Sequence, residues 1–301
     1  MAGIRHFLTF QDYSRDEILT LLKRSHELKH SISGKGMSRP LEGRTIGMIF
    51  EKPSTRTRVS FEVGIYQLGG RSIFLSPRDI QIGRGEPIRD TARVLSRYVD
   101  ALVIRCYGHE VLEEFVHWGS VPIINGLSDL HHPCQILADL LTLQEAGLDI
   151  CSMNACWIGD GNNMANSWID AAEKLGFSLK LACPEGYDPQ VSFNSGKISL
   201  TRDPVVAVKG ANAVSTDVWA SMGQEEEAAV RQHAFRGYQV NDELLRHAAG
   251  IVYVLHCLPA HRGEEITDEV MESDRSLVWD QAENRLHVQK AILEMLFENL
   301  P

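Results

Sequence analysis

In the first half of the chain, short apolar runs alternate with longer segments in which apolar residues recur at helical spacing. The run at 45–50, TIGMIF, is too short for a helix and predicts a buried strand. Residues 16–30 carry isoleucine and leucines on one side and predict an amphipathic helix. Further strands are predicted at 72–75, 101–106 and 121–124, and further helices from Ser54, from Pro87 and over 133–145. This alternation indicates βα units and a mostly parallel sheet.

The same pattern begins again after the break at Ala146 and Gly147. Strands are predicted at 155–160, 178–183, 213–216 and 251–255, and helices at 163–175 and 285–299. We therefore predict an α/β protein of two domains, each a mostly parallel sheet flanked by helices. Helices that include the C-terminal one are expected to join the domains. The predicted boundaries are 1–140 and 141–284, with 285–301 packing back on the first domain.

Composition narrows the class of protein. A length of 301 residues suits two domains, because single cores stop growing near about 250–300 residues. The net charge of -10 argues against nucleic acid as a partner. No apolar run approaches the roughly 20 residues of a membrane span, and the first residues become polar too early for a signal peptide. Six cysteines without CxxC or zinc spacing indicate free thiols, so we expect a cytoplasmic protein.

The string STRTR at 54–58 is the strongest candidate for binding chemistry. It lies where a predicted strand ends and a helix begins, and there unpaired backbone N–H groups favour an anion. Hydroxyl groups and an arginine fork add charge-assisted hydrogen bonds to phosphate oxygens. A capped helix with solvated arginines is the alternative. The density of donors favours an anion site.

Other candidates stand at strand ends and helix starts. Arg105 ends a predicted strand, where open α/β sheets bind ligands, although an arginine at a sheet edge is an equal alternative. His132 and Gln135 lie one turn apart at a helix start, and His132 could donate to a carbonyl or phosphate oxygen or merely cap the helix. Cys257 could be a buried thiol and Arg285 a solvated residue at the start of the last helix.

The turn GDGNNM at 159–164 follows a strand and opens a helix. It resembles a dinucleotide fingerprint, but Met164 stands where the third glycine belongs, and no acidic ribose partner was found. A nicotinamide-dependent dehydrogenase is therefore a weak alternative. Asp160, Asn162 and Asn163 remain ligand candidates, as does Asp217 beyond a later strand.

Taken in order, the motifs STRTR, HPCQ, DVWASMG, HCLP and ENR resemble the aspartate/ornithine carbamoyltransferase family over nearly the whole chain. The SMG and HCLP motifs point to its ornithine branch. The resemblance implies a carbamoyl phosphate domain, an ornithine domain, and a homotrimer with sites at the subunit interfaces. It implies no cofactor and no metal, since arginines would supply the positive charge.

The resemblance also assigns residues. The carbamoyl phosphate ligands it implies are Ser54, Thr55, Arg56, Thr57, Arg105, His132, Pro133, Cys134, Gln135, Cys257, Leu258 and Arg285, with Gln81 from a neighbouring subunit. The ornithine ligands are Asn163, Asp217, Ser221 and Met222. The catalytic residues among these are Arg56, Thr57, Arg105, His132, Asp217 and Cys257.

The implied reaction transfers the carbamoyl group of carbamoyl phosphate to the δ-amine of L-ornithine, giving L-citrulline and phosphate for arginine biosynthesis. One alternative is a carbamoyltransferase for acetylornithine, putrescine or aspartate. A second is a binding protein that kept the fold and lost turnover. The chain departs from the family pattern at 184–212, which is shorter than expected, so we expect a helix to be trimmed there.

Overall fold

The computed structural model describes residues 4–31, 39–76, 85–220 and 227–298. The chain divides into two compact units. The first comprises Met1–Ala138 and Asn284–Pro301, and the second comprises Asp139–Glu283. None of the helices in the described ranges combines the length and the apolar character that a bilayer crossing requires.

The first unit is built on a four-stranded parallel sheet with the order β2-β1-β3-β4. Its strands are β1 (Thr45–Phe50), β2 (Arg71–Leu75), β3 (Ala101–Arg105) and β4 (Ile123–Leu127). Its helices are α1 (Arg15–His30), α2 (Thr55–Gln67), α3 (Ile88–Leu95) and α4 (His109–Trp118). Strands β3 and β4 are buried along their whole length, whereas the edge strand β2 is partly exposed. Burial on both faces is expected for parallel strands covered by helices.

The second unit holds a five-stranded parallel sheet with the order β7-β6-β5-β8-β9. Its strands are β5 (Asn154–Ile158), β6 (Ser178–Ala182), β7 (Ile198–Thr201), β8 (Ala213–Thr216) and β9 (Tyr253–His256). Its helices are α6 (Asn163–Leu175), α7 (Pro204–Val208), α8 (Ala228–Ala234), α9 (Asp242–Leu245) and α10 (Asp268–Met271). The points that divide the two units fall within α5 (Pro133–Glu145) and α11 (Val278–Glu298). The predicted fold class is confirmed.

Helix starts that carry clear sequence signals lie where they were predicted. The Ser54 hydroxyl accepts the backbone N–H of Thr57 at 3.2 Å and so caps α2. The Asn162 side chain accepts from Met164 and Ala165 and caps α6. Gly176 ends α6 with a φ of 80°, a left-handed conformation that glycine adopts without steric cost.

Three boundaries differ from the predictions for physical reasons. Strand β4 extends to Leu127, beyond its predicted end at 124. The apolar pattern stops at the polar residue Asn125, which is nevertheless buried and donates to the Leu8 carbonyl at 3.0 Å. Strand β9 begins at Tyr253, since Ile251 is apolar but exposed. Helix α11 begins at Val278, earlier than predicted. The start was missed because the buried polar residues Gln281 and Asn284 obscure the apolar periodicity of its first turns. The short edge strand β7 was not predicted.

Candidate active site

The string STRTR forms the first turn of α2, directly beyond the carboxyl end of β1. Thr57 is fully buried, and its hydroxyl accepts a hydrogen bond from Nη2 of Arg285 at 2.7 Å. Arg56 is half-buried and Thr55 is exposed. Among the described residues, no hydrogen bond or ion pair engages the Arg56 guanidinium. The turn thus presents backbone N–H groups and a cation to an anion approaching the helix start.

Arg285 lies elsewhere than the sequence indicated. The structure places it inside α11, at 3% exposure, and not at the start of a helix on a solvated surface. Its guanidinium donates to Thr57 Oγ1 and to Gln135 Oε1, the latter at 2.9 Å. The predicted start of the last helix at 285 was wrong because the N-terminal turns of α11 were not recognised. Arg285 instead ties the start of α2 to the start of α5.

Arg105 and His132 lie close to Arg56 and Arg285 in the first unit. Arg105 ends β3 and His132 precedes α5, and both are 4% exposed. Burial holds the pKa of His132 well below its usual range, and the charges of Arg285, Arg105 and Arg56 lower it further. His132 is therefore neutral at pH 7 and can donate one N–H without adding charge. The effect of all three arginine charges on the pKa of His132 shows that these predicted residues lie close together.

The second cluster follows three neighbouring strands of the second unit. The turn that contains Asn162 follows β5, Asp217 follows β8, and Cys257 follows β9. Since β5, β8 and β9 are adjacent and parallel, their carboxyl ends meet at one edge of the sheet, where such folds bind ligands.

Asp217 is held in one orientation by three donors. Its Oδ2 accepts from Asn162 Nδ2 at 3.0 Å. Its Oδ1 accepts from the Val218 N–H at 2.9 Å and from the Cys257 thiol at 3.0 Å. At 8% exposure the carboxylate is nearly buried. A fixed, desolvated carboxylate of this kind suits the recognition of an ammonium group.

Asn162 has a role that the sequence did not reveal. One end of its amide caps α6 and the other binds Asp217, whereas the resemblance assigned the neighbouring Asn163 as a ligand. Asn163 is the first residue of α6 and is half-buried. The cap was predictable from the sequence, but the contact with Asp217 depends on the pairing of β5 with β8.

The HCLP segment is anchored by a buried histidine. His256 Nδ1 accepts the Leu258 N–H at 2.9 Å, and Nε2 lies 3.0 Å from Oε1 of Glu265. Because Nδ1 accepts, the proton of a neutral ring is on Nε2, which donates to Glu265. Both side chains have 0% exposure. Leu258 has a φ of 59°, a strained conformation for a residue other than glycine.

Glu265 was missed by the sequence analysis. It lies in a loop, and no spacing relates it to the HCLP motif. Its Oε1 also accepts the His261 N–H at 2.6 Å, so it joins both ends of the HCLP segment. These bonds fix the backbone around Cys257 and Leu258.

Five further residues were predicted as ligands. Gln81, Ser221 and Met222 lie outside the described residues. Pro133 begins α5. Cys134 is fully buried, its thiol donates to the Asn125 carbonyl at 3.4 Å, and burial raises its pKa to about 12. Any ligand contact of Cys134 would therefore come from its backbone.

The turn at Gly159–Met164 does not offer a dinucleotide site. The Gly161 N–H donates to the Tyr187 carbonyl at 2.9 Å and is not available to a pyrophosphate. A Cβ at Gly161 would lie 2.2 Å from the Asp188 carbonyl carbon and the Pro189 nitrogen. The backbone of 187–189 thus covers the face of the turn that a dinucleotide would occupy. From Pro184 to Lys197 this segment contains neither helix nor strand.

Comparisons with known proteins agree with the motifs. Residues 5–145 match the family described as Aspartate/ornithine carbamoyltransferase, carbamoyl-P binding domain, and residues 152–296 match its Asp/Orn binding domain. The chain belongs to the aspartate/ornithine carbamoyltransferase family, as the resemblance predicted.

Individual proteins that the chain resembles over almost its whole length are named ornithine carbamoyltransferases. The chain is 56% identical over 300 residues to a Pseudomonas aeruginosa protein named ornithine carbamoyltransferase, anabolic, with 99% of this chain and 98% of that protein covered. A solved ornithine carbamoyltransferase from Pyrococcus furiosus has a TM-score of 0.93 and 48% identity, with 99% of each chain covered. One from Campylobacter jejuni, described as anabolic, has a TM-score of 0.90 and 39% identity, covering 99% of this chain and 100% of that chain.

Proposed function

We propose that this protein is an ornithine carbamoyltransferase. It transfers the carbamoyl group of carbamoyl phosphate to the δ-amine of L-ornithine and releases L-citrulline and phosphate. The observation that carries the proposal is the Asp217 carboxylate, which is nearly buried and fixed by three donors beside Cys257. Family membership and the names of the relatives support the same substrate. Residues 1–140, with 285–301 packed on them, are proposed to bind carbamoyl phosphate, and residues 141–284 to bind ornithine.

In the carbamoyl phosphate site, the start of α2 with Arg56, Arg105 and Arg285 neutralises the phosphate, which carries about two negative charges near neutral pH. As the amine attacks the carbonyl carbon, charge develops on the carbonyl oxygen. Thr57, Arg105 and neutral His132 serve as donors to that oxygen, and one such donor is typically worth about 3–4 kcal/mol. Ser54, Thr55 and Gln135 complete the ligand set, and Cys257 and Leu258 are proposed to contact the carbamoyl group.

The nucleophile has to be a neutral amine. An alkylamine like that of lysine has a pKa near 10.4, so only about one in 2,500 is neutral at pH 7. A pocket that desolvates the amine next to cations recovers part of this cost. Asp217 pairs with the α-ammonium group, and Cys257 lies near the δ-amine. Asn163, Ser221 and Met222 hold the α-carboxylate side.

The direct test is the formation of citrulline by the purified protein from carbamoyl phosphate and L-ornithine. We expect stoichiometric release of phosphate and citrulline. Acetylornithine, putrescine and aspartate are measured in parallel as alternative acceptors. Preferred carbamoylation of one of these would replace the ornithine assignment. Tight binding of carbamoyl phosphate without turnover would support a binding protein instead.

We also propose a cytoplasmic homotrimer that acts in arginine biosynthesis. An exposed apolar stripe supports self-association in the first unit. Val59, Val63 and Tyr66 on α2 are 51%, 37% and 80% exposed, at spacings that place them on one helix face. Ile73 of the edge strand β2 is also 46% exposed. A protein rarely leaves such a surface uncovered.

The double variant Val59→Glu/Val63→Glu is expected to be monomeric and largely inactive. Charges on the stripe disfavour burial in an interface, and the active site would then lack Gln81 of the neighbouring subunit. Light scattering after gel filtration and a citrulline assay measure the two effects. The control Ile251→Glu, at a residue 69% exposed in the second unit, should remain trimeric. A trimer of unchanged mass in the double variant would show that α2 is not the interface.

A further inference from the structure

Arg231 of α8 contacts three separate segments of the second unit. Its Nη1 donates to Asp160 Oδ2 and to the Trp219 carbonyl, each at 2.9 Å. Its guanidinium carbon lies 4.9 Å above the centre of the Tyr187 ring. The residue is 6% exposed, and Asp160 is 8% exposed. A buried arginine with this many partners fixes the segments that it joins.

The segments that Arg231 joins are those that hold Asp217. Asp160 belongs to the turn before α6, two positions ahead of Asn162, which donates to Asp217. Trp219 lies two positions after Asp217, and its ring stacks on Phe235 at 5.8 Å between centroids. Arg231 therefore connects both sides of the Asn162–Asp217 hydrogen bond through contacts outside it.

Tyr187 closes the same arrangement. Its carbonyl accepts the Gly161 N–H, so the segment after β6 is bonded to the turn that carries Asp160. Its ring lies under Arg231 and packs against Phe235 at 4.8 Å between centroids. The irregular segment between Pro184 and Lys197 thus supports the turn through a backbone contact and an aromatic one.

Arg231 also pairs with Glu227, whose side chain is 63% exposed, so the buried charges of this cluster are those of Arg231, Asp160 and Asp217. Burial raises the pKa of Asp160 and the charge of Asp217 adds to this, whereas Arg231 opposes both. Asp160 and Asp217 are thus close enough to repel each other. Pairing with Arg231 cancels the charge of Asp160, while the donors to Asp217 within the described residues are the neutral groups of Asn162, Val218 and Cys257. Of the buried carboxylates of this cluster, Asp217 is the one that no described cation pairs with.

We propose that Arg231 and Asp160 are positioning residues for the amino-acid substrate, which orient Asp217 and reserve its charge for the ammonium group. The inference rests on the proposed function, because it takes ornithine as that substrate. Arg231 and Asp160 are thereby proposed to affect the binding of ornithine and not that of carbamoyl phosphate. Asp160 also keeps the Arg231 guanidinium from pairing with Asp217 in place of the substrate.

The test is the Arg231→Gln variant, with steady-state kinetics for both substrates and a thermal melt. We expect the KM for ornithine to rise by about tenfold or more, since small displacements of binding groups have large effects. The KM for carbamoyl phosphate should stay within about threefold, because independent sites add with little coupling. A lower melting temperature with an unchanged KM for ornithine would reduce the pair to a structural role and overturn the proposal. Equal rises in both KM values would also overturn it.

Removing one partner of a buried ion pair can unfold a protein, so a second variant is needed. Asp160→Asn/Arg231→Gln removes both charges of the buried pair, and the Glu227 carboxylate that also loses Arg231 is 63% exposed and remains solvated. A raised KM for ornithine in this folded double variant supports the proposal, and a wild-type value contradicts it.

Arg202 provides a matched control in the same unit. It also pairs with a carboxylate, donating from Nη2 to Asp188 Oδ2 at 2.9 Å, and with a backbone carbonyl, that of Cys183, at 3.1 Å. The pair is exposed, and such pairs contribute little, so Arg202→Gln should keep the KM for ornithine within about threefold. If the wild-type protein formed no citrulline at all, the proposed function would fail. If the wild-type protein forms citrulline and Arg231→Gln does not change its KM for ornithine, only this inference is contradicted.

Discussion

The Arg56→Ala variant is expected to lose about 2–5 kcal/mol of carbamoyl phosphate affinity, as when one partner of a charged hydrogen-bonded pair is truncated. At 1.4 kcal/mol per factor of ten, this is a weakening of about thirtyfold to several thousandfold. Arg56 lies in the first turn of α2 and has no partner among the described residues. Its removal therefore breaks no described contact, and the melting temperature should stay close to that of the wild type. Calorimetric titration with carbamoyl phosphate measures the loss.

Arg58 is the matched control for this experiment. It lies in the same string, but its Nε donates to Glu62 Oε1 at 2.9 Å, and its guanidinium carbon lies 3.7 Å from the centroid of the Phe74 ring. Those contacts already engage the side chain, so Arg58→Ala should change carbamoyl phosphate affinity by no more than about threefold. Equal losses in the two variants would point to general electrostatic attraction, and an unchanged affinity in Arg56→Ala would refute the anion site.

Sequence alone predicted those features that arise from a few neighbouring residues. The strand at 45–50, the cap at Ser54 and the helix at 163–175 with Gly176 at its end were all predicted correctly, because each depends on local periodicity and capping. The order of strands in the two sheets was not predictable, since it depends on pairing between distant segments. The mostly parallel arrangement followed only from the alternation of helices and strands.

The contacts that support the site likewise include few that neighbouring residues could have predicted. The sequence predicted Asp217 and Cys257 as site residues, yet it gave no sign of the contacts that Asn162, Glu265 and Arg231 make around them. Asn162 and Arg231 bind residues far away in sequence, and Glu265 binds the nearby His256 and His261 from a loop that carries no local signal. Arg285 was placed at the start of the last helix but lies inside it, because a polar residue in a buried helix face has no local signature.

The second large expected effect is on kcat/KM, and it concerns which amine accepts the carbamoyl group. For the wild-type protein we expect kcat/KM for L-ornithine at least about 10³-fold above acetylornithine or putrescine, because a site built for a polar group discriminates strongly against analogues that lack it. Acetylation removes the positive charge of the α-amine and leaves the nearly buried Asp217 carboxylate without a cation. Putrescine lacks both α-groups, and aspartate lacks a distal amine.

The Asp217→Asn variant tests the partner of the α-ammonium directly. Asparagine keeps the size of the side chain and one acceptor oxygen for Val218 or Cys257, but it removes the charge. We expect kcat/KM for ornithine to fall by about thirtyfold or more, which corresponds to about 2 kcal/mol or more for the lost ion pair. The value for acetylornithine should change little, so the ratio of the two narrows by the same factor. Both are measured with one assay for the carbamoylated products at saturating carbamoyl phosphate.

Asp188→Asn is the matched control for that variant, because it converts an exposed carboxylate of the same unit to an amide and breaks only its pair with Arg202. Its preference for ornithine should equal that of the wild type, since exposed ion pairs contribute little. If Asp217→Asn kept the wild-type preference, Asp217 would not be the α-ammonium partner. If the native protein favoured acetylornithine, the ornithine assignment would fail while membership of the carbamoyltransferase family would stand. The first result concerns one carboxylate and the second concerns the substrate, so the substrate panel on the wild-type protein distinguishes them before any variant is made.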